Sequence, residues 1–186
     1  MMKKVLTVFM LCAMFMLTFA PVSNAAAKNS VPPTSARWLY PKQIKTYIPP
    51  NHKRTTMMKH AFAEWTQKTK GKVVFRYVSS PKTAQIRVFF VASVPDAERE
   101  IGLTKSRTIG KGKMLRSEIY IAEKTAQGYS LGRDAVYTCM LHEIGHAIGI
   151  FEHSDDPLSI MYPIEDDRQE ILNSDLKKLY QIYEWK

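Results

Sequence analysis

Residues 142–153 read HEIGHAIGIFEH. Two histidines four apart on a helix stand one above the other on the same face, so His142 and His146 can grip a single cation. Zinc suits neutral imidazole nitrogens, and a catalytic zinc keeps one of its positions open to water. Glu143, beside the first histidine, is placed to take a proton from a water that such a metal has acidified. The stretch ends in two adjacent candidates, Glu152 and His153, and both residue types bind cations.

The helix carrying these residues is predicted over 131–148. Tyr137, Leu141, Ile144 and Ile148 form its buried stripe, and Gly149 supplies a left-handed end. Working outward, an earlier helix is predicted from Arg54 to Lys70, with Met57, Met58, Ala61, Phe62 and Trp65 at helical spacing and Gly71 closing it. A last helix over 175–183 carries Leu176, Leu179, Ile182 and Tyr183 on one side, with Asn173 or Ser174 as its cap. Strands are predicted at IKTYI (44–48), KVVFRYV (72–78), AQIRVFFV (84–91) and SEIYIA (117–122). The third is apolar for four consecutive residues, which suits a central position. IGLT (101–104) reads as a short strand and IGKGKMLR (109–116) as a mobile loop. This order makes a mixed α/β arrangement of the α+β type, with a helix-borne site beside a sheet edge.

Downstream of the two histidines the spacing becomes specific. Gly149 ends the helix, His153-Ser154 follows, and SIMYP brings Met161-Tyr162-Pro163 eight residues beyond His153. HExxHxxG, then His-Ser, then Met-Tyr-Pro resembles the metzincin zinc endopeptidases and, within them, the matrixins. The resemblance extends over roughly residues 36–183. It implies a twisted mixed sheet with one antiparallel edge strand, two long helices and a C-terminal helix. IGLT would be the edge strand, binding substrate by strand addition. It implies one catalytic zinc, Glu143 as general base, and Met161 in a turn beneath the metal. The segment near Pro163-Ile164 would wall the pocket for the residue after the cut.

One departure matters. The family pattern puts the third histidine ten residues after the first, and here that position is Glu152, with His153 at eleven. Either an extra residue at Ile150-Phe151 bulges out and His153 ligates, or Glu152 takes the third place. His153 is favoured because its spacing to Met161 is intact. Another departure is that none of the five histidines lies between 92 and 141, so the structural zinc common in the family is not expected. Calcium stays open, with DAERE (96–100) and EDD (165–167) read as solvated acidic faces. His52 and His60 read as surface histidines, and Trp38, Trp65 and Trp185 as packing residues. Cys139 reads as a small core thiol.

The remaining sequence bounds the setting. MMKK, an uncharged apolar run from Val5 to Ala20 and PVSNAAA read as a signal peptide over 1–25, cleaved near Ser23-Asn24-Ala25. The run is shorter than a spanning helix needs, and Pro21 ends it. A flexible lead-in is expected over 26–37 and a single catalytic domain over 38–186, secreted and free of the membrane. Removing Lys3 and Lys4 takes the formal net charge from +10 to +8. Such a chain is drawn to anionic surfaces, while its scattered Lys and Arg give no specific nucleic-acid signature. With one cysteine left there is no internal disulfide, so the core carries stability unaided. The expected partner is a protein or peptide substrate, acted on by a monomer. The rival expectation is an inactive relative that uses the same fold to hold an extracellular or cell-wall partner.

Overall fold

Ile44 and Thr46 are fully buried while Lys45 between them is exposed, the period of two that marks a strand covered on one face. The computed structural model describes residues 35–94, 100–110, 112–125, 127–164, 166 and 168–186. The expected signal peptide and most of the lead-in lie outside them. The last lead-in residues are held in place: Ala36 is buried, Arg37 N–H donates to the Gly112 carbonyl at 2.9 Å, and Met114 N–H donates back to Arg37 at 2.9 Å.

The elements are β1 (Ile44–Tyr47), α1 (Thr55–Lys68), β2 (Phe75–Tyr77), β3 (Ile86–Val91), β4 (Gly102–Ile109), β5 (Lys113–Ala122), α2 (Arg133–Ala147) and α3 (Asn173–Tyr183). They form one five-stranded sheet in the order β2-β1-β3-β5-β4. Pairing is parallel except between β4 and β5, so β4 is an antiparallel edge strand. The apolar run of β3 sits in the middle of the sheet, as its composition suggests. Ile44, Ile86, Val88, Ile119 and Ile121 bury one sheet face in a core shared with Phe62 and Trp65 of α1 and Met140 and Ile144 of α2. Each such side chain contributes about 1.5–3 kcal/mol by leaving water.

Several elements differ from the sequence expectation. The strand expected over 72–78 is only Phe75–Tyr77. The region read as a short strand and a mobile loop is a long hairpin, in which β4 runs eight residues to Ile109 and β5 begins at Lys113. Cross-strand hydrogen bonding makes this hairpin, with Gly110 and Gly112 at positive φ in its turn. The α3 cap is neither Asn173 nor Ser174. The Asp175 carboxylate reaches back and accepts the Leu172 N–H at 2.9 Å. No helix among the described residues is long and apolar enough to cross a membrane.

Candidate metal centre

Helix α2 is buried almost all round from Thr138 to Gly145, so its C-terminal end must satisfy its polar groups inside the protein. Ile150 N–H bonds the Gly145 carbonyl at 3.1 Å and Gly149 N–H bonds His146 at 3.0 Å, the paired closure of a Schellman end. Gly149 has φ +119, and a side chain there would run into the Ala36 carbonyl. The Ala147 carbonyl accepts from Trp38 Nε1 at 3.0 Å and the Ile148 carbonyl from Tyr183 Oη at 2.9 Å. The chain's first and last described segments thus fix the end of the helix that carries His142 and His146.

Three imidazoles converge there. One ring nitrogen from each of His142, His146 and His153 lies within 4.8 Å of the others, with centroids 4.6, 5.2 and 5.1 Å apart. His142 Nδ1 bonds the Ile160 carbonyl at 2.7 Å, and His146 Nδ1 bonds the Ile150 carbonyl at 2.6 Å. A carbonyl only accepts, so each Nδ1 carries the proton and the lone pair is left on Nε2. Burial pushes His142 down to about 4 and His146 down to about 3, which keeps both rings neutral at pH 7. Burial also lowers His153, opposed by the charge of Glu100 and aided by Lys178.

Glu152 points elsewhere. Its carboxylate pairs with Lys178 Nζ at 3.0 Å and is half exposed. Ile150 is fully buried and Phe151 lines the cleft, so neither is looped out as the extra residue was expected to be. Glu152 and His153 are both exposed, but His153 lines the cleft and Glu152 does not.

Beneath the histidines, Met161 is buried with its sulfur against Gly145. The turn bearing it is pinned twice: Met161 N–H donates to Ser159 Oγ at 3.0 Å, and Ser159 Oγ donates to Asp175 at 2.6 Å. Ser154 N–H closes on the Met161 carbonyl at 2.7 Å, tying the His153 segment to the same turn. In front lies a cleft of about 460 Å³, lined by Glu143, the three histidines, Phe151 and Pro163 on one side and by β4 on the other. Glu143 is buried beside Gly102 of β4, where a β-carbon would overlap the Glu143 carboxylate and the Cys139 sulfur. Thr104 Oγ1 donates to the Glu143 carbonyl at 2.9 Å and joins the edge strand to the helix.

Gly102, Gly145, Ser159 and Asp175 are the site-building residues that motif reading misses. Gly145 was visible inside HEIGH, but its reason, the sulfur beneath it, was not. His60 is exposed as expected. His52 is not a plain surface residue: it stacks on Phe90 at 4.0 Å and bonds Glu123 at 2.6 Å. Cys139 is fully buried, and Trp185 stacks on Tyr183 at 4.4 Å. Asp166 of the EDD run is held by the Arg168 guanidinium at 2.8 Å, and most of DAERE lies outside the described residues.

The sequence matches the profile of the matrixin family over residues 39–184. It is 32% identical over 115 residues to a probable matrix metalloproteinase of Invertebrate iridescent virus 3. That overlap is 58% of this chain but 31% of the viral protein, so the chain spans about a third of that relative. Among solved structures it is similar to archaemetzincin from Methanopyrus kandleri, with TM-score 0.48 and 12% identity over 80% of this chain and 96% of that one. It is also similar to myroilysin, with TM-score 0.47 and 13% identity over 82% of this chain and 92% of that one.

Proposed function

This chain belongs to the matrixin family, and from that premise we propose that it is a secreted zinc-dependent endopeptidase with zinc held by His142, His146 and His153. The donor set fits zinc: three converging imidazoles, two of which have Nδ1 held by a backbone carbonyl and so present Nε2. When bound, zinc supplies Lewis acidity to the scissile carbonyl and to the attacking water.

The chain's own residues do the rest. Ile160 and Ile150 hold the two helix imidazoles in one tautomer and one orientation. Glu143 takes the proton of the attacking water on its carboxylate and later passes it to the leaving nitrogen. Substrate lies along the open edge of β4 as an added strand, and the Thr104 bond keeps that edge in register with the base. Pro163 walls the side of the cleft that receives the residue after the cut, with exposed Ile164 next to it. The substrate class is protein or peptide, and the enzyme acts as a monomer.

The observation that carries this reading is the convergence of three imidazole nitrogens within 4.8 Å in a cleft that Glu143 also lines. Metal-stripped protein reloaded with zinc should cleave casein or members of a peptide library. Chelator should abolish cleavage, as should Glu143→Gln in protein that still binds one zinc. A zinc-loaded chain that cleaves nothing would instead support the inactive relative holding an extracellular or wall partner. Export is tested separately, by finding in the culture medium a chain that begins after residue 25.

A further inference from the structure

The sheet face turned away from the helices carries a row of cations. Lys45 of β1 pairs with Arg76 of β2, and Arg107 of β4 pairs with Arg116 of β5. Between them, the register of β1, β3 and β5 places Gln85 beside both Lys45 and Arg116. The order across the sheet is therefore Arg76, Lys45, Gln85, Arg116, Arg107. Adjacent strands lie about 4.8 Å apart, so the row is roughly 19 Å long. All four charged members are exposed, and among the described residues none has an ion-pair partner.

This placement is unfavourable for the isolated chain. Like charges directly opposite on a sheet destabilise it, and the row contains two such pairs, Lys45–Arg76 and Arg107–Arg116. The five strands hold seven cationic side chains and one carboxylate, Glu118. That carboxylate belongs to the next row, where Arg87 lies 3.6 Å away and Tyr120 Oη donates to it at 3.0 Å. The row's charge is thus left for an outside anion, and arginine forks match carboxylates in bidentate geometry.

The flanking aromatics narrow the choice of anion. Phe89 and Tyr120 stack on each other at 5.0 Å, and Lys105 lies over the Tyr120 ring at 6.0 Å. They offer no succession of open faces on which single-stranded bases could stack. At its β2 end the row opens into a hollow of about 360 Å³ lined by Leu39, Tyr40, Lys42 and Arg76, with Tyr40 67% exposed. A single open ring beside a line of cations suits one sugar ring and a chain of carboxylates. We propose that this face binds a carboxylate-bearing polysaccharide laid across the strands, on the side of the sheet opposite the cleft. The site needs neither zinc nor Glu143, so failure of the peptidase reading would leave it standing.

The test uses the full secreted chain and polygalacturonate, with neutral dextran, a single-stranded oligothymidylate and phosphatidylglycerol vesicles as competitors. Polygalacturonate should bind, dextran should not, and rising salt should weaken the complex. Arg107→Gln/Arg116→Gln should weaken binding at least tenfold, Lys45→Gln/Arg76→Gln should do the same, and Lys177→Gln on α3 should leave it unchanged. Hydrolysis of a short peptide should be unaffected in the Lys45/Arg76 and Lys177 variants, whose residues lie away from β4. Neither row variant should melt below wild type, because each relieves a like-charge pair. Absent binding at physiological salt, or binding unchanged in both row variants, overturns the proposal. So does tighter capture of the oligothymidylate or the vesicles through these same residues.

Discussion

The sulfur of Met161 occupies the space that a side chain on Gly145 would need. That contact sets how closely the methionine turn approaches the two helix histidines on either side of Gly145. Gly145→Ala would force the sulfur away, with the Met161 methyl and the Trp65 ring each 3.2 Å from the new β-carbon. Overpacking of this kind costs about 1–3 kcal/mol. Met161→Ala leaves a void instead and costs about 2–5 kcal/mol. The double variant should be less damaged than the sum of the two, since the new methyl enters the void that the methionine leaves. Urea unfolding of the four proteins measures this, and strict additivity would show that the contact does not matter.

Acid should unfold the metal-free protein in a defined direction. Buried His142 and His146 titrate near 4 and 3 in the folded chain, below the ordinary 6.5 of an unfolded histidine. Between those values the unfolded chain holds more protons, so stability is fully present above about pH 6.5 and falls as the pH drops towards 4. Zinc competes with the same protons and should shift the loss to lower pH. Melting temperatures from pH 8 to 4, with chelator and with zinc, test this. A metal-free melting temperature that stays flat across the range would remove the linkage.

Helices α1, α2 and α3 and the central strand β3 are legible in the sequence because each buries a periodic or continuous apolar set. Of the β4–β5 hairpin, IGLT (101–104) and SEIYIA (117–122) are legible as strands, but the polar stretch that joins them is not. One of its faces carries Lys105, Arg107 and Arg116 towards solvent, and the other turns Thr104, Ser106 and Thr108 to the cleft, so neither face alternates with apolar residues. Cross-strand hydrogen bonds hold it, and a polar pattern of this kind reads as loop. The three converging histidines are legible from spacing, but their supports are not. The Ile150 and Ile160 carbonyls are backbone groups that any residue supplies, and Ser159 and Asp175 meet only when the chain is folded. His52 misleads for the same reason, since Phe90 of β3 and Glu123, just past β5, are distant from it in sequence.

Asp175 joins α3 to the methionine turn. One oxygen takes the Ser159 hydroxyl and the other takes the Leu172 N–H, so a single buried carboxylate caps the helix and pins the turn. Hydrogen bonds to a charged group are worth about 1.5–3 kcal/mol each, and Asp175→Ala should cost about 3 kcal/mol or more. Because Ser159 also orders Met161, the variant should lose zinc affinity as well as stability. Denaturant midpoints together with zinc titration separate the two. A loss of stability with zinc affinity unchanged would confine Asp175 to capping.

The third ligand is decided by the pair Glu152→Ala and His153→Ala. The imidazole of His153 stacks 5.2 Å from His142 and lies edge-on 5.1 Å from His146, whereas the Glu152 carboxylate is engaged by Lys178 on α3 at 3.0 Å. Losing even an outer-shell partner costs about 10–100-fold in metal affinity, so His153→Ala should lose more than about 100-fold. Glu152→Ala removes only a half-exposed ion pair worth about 0–1 kcal/mol and should bind zinc as wild type does. Competition for zinc against a chromogenic chelator reads both affinities, and urea unfolding of the metal-free forms shows whether either change acts through stability. If Glu152→Ala lost the metal while His153→Ala kept it, the carboxylate would have to leave Lys178 on metal binding, and the assignment to His153 would fall.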